Sequence, residues 1–179
     1  ADINTLYASS GFSGLGDQAI TANDTGSIAA STITTVATAN SSGTLNVSAA
    51  GTITGTAAEI IAAFADGTVT EASDVALTVD SSGTATLTQA RTLDGLTTGV
   101  VTATIAATDL SDLVGSSPLL DANENNAFTI TIGTDDATVS AADLNTLDGL
   151  TTVAINAGNV TTITSSSLAD INTLYASSG

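Results

Sequence analysis

The segment VTTITSSSLADINTLY, Val160 to Tyr175, contains the pattern from which the rest of the chain can be read. Its first part, Val160-Thr-Thr-Ile-Thr164, is rich in β-branched residues and reads as a short strand. In its second part Leu168, Ile171, Leu174 and Tyr175 fall on one face of a helix at i, i+3, i+6 and i+7. Between them Ser167 stands three residues before Asp170, so its hydroxyl can accept a backbone N–H of the first helical turn. The unit is thus one strand, one cap and one helix too short to be stable alone.

The segment ADINTLYASSG at 169–179 repeats residues 1–11 letter for letter, which sets a period of 168 residues. Residues 1–168 are therefore expected to form one period of a continuous structure, and 169–179 the start of the next identical one. The chain then represents a window on a tandem array or on a polymer of like units. The helical pattern also recurs within the period, anchored at Asp2, Thr32, Glu59, Gln89, Asp109, Asp143 and Asp170, with spacings of 30, 27, 30, 20, 34 and 27. Further cap pairs are Thr56 with Glu59, Thr86 with Gln89, and Ser140 with Asp143. Between the anchors lie short runs bounded by Ser-Ser-Gly and similar turn clusters: Val75–Val79, Thr84–Thr88, Val100–Ile105, Phe128–Ile132, Val153–Ile155 and Val160–Thr164.

This arrangement predicts a mostly β solenoid with one short helix per coil, about 28 residues per coil and six coils per period. A leucine-rich repeat has a similar length, but its L-x-x-L-x-L-x-x-N consensus is missing. A series of β-sandwich domains is the alternative; it would account for the strands and leave the capped helices unexplained.

Composition removes whole classes of function. The chain has no Cys, His, Trp or Met, and its single basic residue, Arg91, faces 18 acidic ones for a net charge of −17. Nucleic acid and anionic lipid require clustered Lys or Arg, so neither is an expected partner. No apolar run is long enough to span a bilayer, and membrane insertion is not expected. Usual zinc and haem sites and Ser-His or Cys-His couples are excluded. The adjacent Asp135-Asp136 pair lacks the aromatic platforms and basic partner of a hydrolytic cleft, so no catalytic residue and no enzyme are expected.

Asp121, Asn123 and Asn125 place oxygens at alternate positions, like the first half of a calcium loop, although Asn126 stands where glycine belongs and Ile132 where the bidentate Glu belongs. Calcium is the one cofactor this pattern admits, and a solvated loop is the plainer reading. Asp94 and Asp148, in the two Leu-Asp-Gly-Leu segments, read as turn residues. Threonine pairs such as Thr129 with Thr131 and Thr102 with Thr104 suit a strand's outer face, or an ice- or glycan-binding surface.

ADINTLYASSG followed by FSGLGDQAIT, the LDGLTT segments at 93–98 and 147–152, and VTTITSSSLADINTLY resemble the giant Thr/Ala/Asp-rich tandem-repeat surface and extracellular proteins of marine cyanobacteria and other bacteria. The resemblance implies export, and a role in adhesion, motility or matrix formation, with no catalytic residues. The expected function is a structural protein of an extracellular or cell-surface filament whose partner is itself, joined head to tail. The alternative is an adhesin or an ice- or glycan-binding module stabilised by calcium.

Overall fold

A computed structural model describes residues 2–9, 11–115, 126–165 and 167–177. Its helices start where short side chains satisfy the free N–H groups of the first turn. In α3 (Ala57–Ala65), Thr56 Oγ1 accepts from the Glu59 N–H at 3.2 Å while Glu59 Oε2 accepts from the Thr56 N–H at 2.8 Å. In α4 (Leu87–Asp94), Thr86 and Gln89 make the same reciprocal pair at 3.2 and 2.9 Å. In α6 (Ala141–Asp148) and α7 (Leu168–Ala176), Ser140 and Ser167 accept from the Asp143 and Asp170 N–H groups. Aspartate is one methylene shorter than glutamate; in both it accepts the serine hydroxyl instead. Thr56→Ala is expected to lower stability by about 1 kcal/mol, with Thr56→Ser near wild type, as read from urea denaturation.

Helix α5 (Leu110–Val114) departs from this local logic. Asp109 is its N-cap and makes no side-chain cap, so the N3 position belongs to Asp112 rather than to Asp109. The anchor expected at Asp109 therefore moves by three residues, and the irregular spacing of 20 then 34 becomes 23 then 31. The cap comes from far along the chain: Asp136 Oδ2 accepts from the Leu110 N–H at 2.7 Å. The remaining helices are α1 (Asp2–Tyr7) and α2 (Ala30–Ala39).

The strands are two to four residues long: β1 (Ala19–Thr21), β2 (Ser27–Ala29), β3 (Thr44–Asn46), β4 (Thr52–Gly55), β5 (Val69–Thr70), β6 (Ala76–Val79), β7 (Val101–Thr104), β8 (Ala127–Thr129), β9 (Thr138–Ser140) and β10 (Thr162–Thr164). All their pairings are parallel, in sheets ordered β1-β3-β5, β2-β4-β6-β7-β8 and β10-β9. Parallel neighbours need a long crossover, and each crossover between the paired strands carries a helix. Paired residues lie 24 or 25 positions apart, as in Ala19 with Thr44 and Leu45 with Val69.

The chain is therefore an α/β fold with parallel sheets of three, five and two strands and seven helices among the described residues, and the expected mostly β solenoid of 28-residue coils is corrected. More of these residues are helical than extended. The reason is the brevity of the β-branched runs. Of Thr84–Thr88 only Ala85 makes a bridge, while Leu87 and Thr88 begin α4; Val153–Ile155 forms no strand. The parallel pairing also removes the β-sandwich alternative, whose sheets are antiparallel.

In-register pairing lines up aliphatic residues across the five-stranded sheet: Ile28 with Ile53, Ile53 with Leu77, Leu77 with Val101. The helices add Ile33, Ile60, Leu93, Leu113 and Leu147 to the same core, each at most 1% exposed. The duplicated LDGLTT segments join a helix end to this core. Thr97 Oγ1 donates to the Val75 carbonyl at 2.6 Å, and the Thr98 N–H donates to that of Ser73 at 2.8 Å. Thr151 Oγ1 accepts from the Phe128 N–H at 2.9 Å and donates to the Phe128 carbonyl at 2.8 Å. These hydroxyls take the place of a strand partner where the ladder ends, and they keep buried backbone groups satisfied.

Candidate assembly interface

The sequence Asp-Ile-Asn-Thr-Leu-Tyr, which forms α1 and recurs within α7, occupies different surroundings in the two helices. In α1, Ile3 packs against the core, Tyr7 is half-buried and Leu6 is 38% exposed. Tyr7 Oη donates within a cluster formed by Asn40 Oδ1 at 2.8 Å and Gln18 Oε1 at 3.2 Å. Asn40 is fully buried at the end of α2; its Nδ2 donates to the Gln18 carbonyl at 2.7 Å and its Oδ1 also accepts from the Gln18 N–H at 3.2 Å. Gly43 closes the cluster, because a Cβ there would meet the Asn40 amide and the Gln18 carbonyl.

In α7 the pattern is reversed. Leu174, equivalent to Leu6, packs against the core beside α6, whereas Tyr175, equivalent to Tyr7, is 78% exposed. Asn145 Nδ2 donates to the Asp170 carbonyl at 3.0 Å, and Ser177 Oγ to Asp148 Oδ2 at 2.7 Å, which ties α7 to α6. Each of the two sites has an apolar groove beside it. One is lined by Ile3, Ile28, Ile33, Val36 and Leu45, the other by Leu144, Ile155, Val160, Ile163 and Tyr175.

Next to these grooves run two edge strands, β2 and β10, of sequences Ser-Ile-Ala and Thr-Ile-Thr. Neither carries the lysine, proline or inward charge that commonly blunts a sheet edge. The repeated segment is legible in the sequence, whereas the Tyr7, Gln18 and Asn40 cluster is not, because its members are far apart in the chain.

The other sequence candidates are dispersed. Asp136 caps α5 and Asp135 is exposed. Asp94 accepts from Asn126 Nδ2 at 2.6 Å, so its role reaches beyond a turn. Asp121, Asn123 and Asn125 lie outside the described residues, and among those described no group of three or more acidic side chains is placed to hold a metal. Thr54, Thr78 and Thr102 form an in-register file on the outer face of the five-stranded sheet. Among the described residues no helix is long and apolar enough to cross a membrane.

Among the described residues Glu71 is the one carboxyl held above its ordinary range, chiefly by burial, with the charge of Asp66 adding to it; its Oε1 is buried without a hydrogen-bond partner. Asp66 and Glu59 are held below theirs by Thr68 and Thr56 respectively. A raised folded-state pKa penalises the native state above the unfolded value, so acidification through that window relieves the Glu71 penalty. The contributions of Asp66 and Glu59 have the opposite sign and are lost as pH falls through their lowered values. Glu71→Gln is thus expected to raise the melting midpoint at pH 7, with the gain shrinking as pH falls into the ordinary carboxyl range; a pH series of thermal melts checks it. Neither Glu71 nor Asp66 lines the two apolar grooves.

Comparison with protein-family models, curated proteins and solved structures returned no match, so the functional reading rests on the chain's own geometry.

Proposed function

We propose that the chain is a structural unit of an extracellular or cell-surface filament, extended head to tail by copies of itself. The carrying observation is the pair of unguarded parallel edges, β2 and β10, each beside an apolar groove and each next to a helix containing the same sequence. Edges of this kind are templates for pairing with another chain. The high negative charge works against lateral clumping and also against the joint itself, and salt screens it over a Debye length of about 8–10 Å. Negative-stain imaging across a salt series is expected to show unbranched fibres one molecule wide, more abundant at high ionic strength. Isolated particles under all these conditions would contradict the proposal.

A second reading, a binding module, is favoured by the file Thr54, Thr78 and Thr102, whose hydroxyl-bearing positions repeat at the strand spacing of about 4.8 Å. Ice-recrystallisation and glycan-array assays separate it from the first. Binding by particles that never associate would favour the module.

A further inference from the structure

The two settings of the repeated helix are complementary. Where the leucine of Asn-Thr-Leu-Tyr is covered, in α7, the tyrosine is exposed; where the tyrosine is covered, in α1, the leucine is the more exposed. A single helix of this sequence lying between α6 of one copy and α2 of the next would cover both. We infer that the head-to-tail joint is a helix exchange: α7 of one copy takes the place of α1 on α2 of a second copy, and Tyr175 takes over the Tyr7 contacts with Asn40 and Gln18. This inference rests on the head-to-tail reading and names the surface that performs it.

The neighbouring elements fit the exchange. Helix α1 lies against α2, whose other neighbour is α3, and β2 likewise borders β4 on one side and ends the sheet on the other. The chain runs from β10 into α7 within a few residues, so a donated α7 brings β10 to the free edge of β2. Val160 and Ile163 come with it, toward the groove lined by Ile28, Ile33 and Val36. The chain's own α1 is the competitor, since it already holds the same surface through the same residues. Where copies follow one another in a single polypeptide, the contact is made without exchange.

Competition gives the two tyrosines opposite roles, which a merely structural role would not. Sedimentation velocity of the full chain is the test. Tyr175→Ala is expected to weaken self-association by about tenfold or more, through loss of a hydrogen-bonded aromatic anchor. Because Tyr175 is largely exposed, the monomer's melting midpoint should stay unchanged. Tyr7→Ala is expected to strengthen self-association by a comparable factor, because it loosens the resident helix. Circular dichroism establishes that the rest of that variant stays folded. The inference is overturned if both substitutions shift association in the same direction, if neither moves it, or if the Tyr7 variant stays monomeric. Fibres indifferent to both tyrosines would overturn this joint and leave the filament reading standing. Dimers that follow the opposite-sign pattern, with no fibres on imaging, would support the joint and remove the filament.

Discussion

Replacing Phe128 by alanine is expected to lower stability by about 3–5 kcal/mol, the largest effect of any single truncation in the core. The chain has five aromatic residues, and Phe128 is the one that is fully buried; Phe12 and Tyr175 are 63% and 78% exposed. The rest of the buried apolar core is built from Ala, Val, Ile and Leu, so Phe128 is its largest fully buried side chain. The surroundings are poorly able to collapse into the cavity, because the Phe128 backbone is held on both its N–H and its carbonyl by Thr151. For a domain of this size the melting midpoint should fall by about 10 °C or more. Phe128→Leu, which retains most of the volume, should recover much of the loss. A Phe128→Ala midpoint within a degree or two of wild type would mean that the core is not packed around this ring.

The second large effect is expected at Asn126. This side chain is 3% exposed; its Oδ1 accepts from the Val101 N–H at 2.8 Å, and its Nδ2 donates to Asp94 at 2.6 Å. Asn126→Ala leaves a buried donor without this acceptor and should cost about 2–4 kcal/mol. Asn126→Asp tests the geometry more sharply, because it sets a second carboxylate against Asp94. Two carboxylates at that distance cannot both ionise without a large penalty, so one pKa must rise. The sign follows: the variant is destabilised at pH 7 and recovers toward wild type as the pH falls and one of the pair takes a proton. Chemical denaturation of wild type and Asn126→Asp at pH 7 and near pH 4 measures this. An equal difference at the two values would rule out the contact with Asp94.

What the sequence reveals of this fold depends on the range of the interactions. A cap is local: Thr56 and Glu59 lie three residues apart, and the hydrogen bonds between them need little beyond that spacing. Helix α5 shows the limit, because its first N–H is satisfied by Asp136, 26 residues away, and no window around Asp109 contains that information. The fold class turns instead on competing local signals. Runs such as Thr84–Thr88 have strand composition, but the Thr86 cap outweighs it and starts a helix. Asn40 and Asn126 look like loop residues in sequence, yet they are buried because they serve backbone groups and side chains more than 20 residues distant. The duplicated LDGLTT was a usable signal: a repeated threonine pair just beyond a helix end marks the places where hydroxyls replace a strand partner.

The assembly site was half legible for the same reason. The repeated ADINTLYASSG pointed to a joint, but its two faces are distinguishable only through what α2 and α6 present to them. The account holds that a parallel sheet edge and a donated helix carry one copy onto the next, with strands lying across the direction of growth. X-ray diffraction from oriented fibres measures this directly. A reflection near 4.8 Å on the meridian, parallel to the fibre axis, is the predicted result. The same spacing on the equator, or oriented fibres without it, would contradict the account.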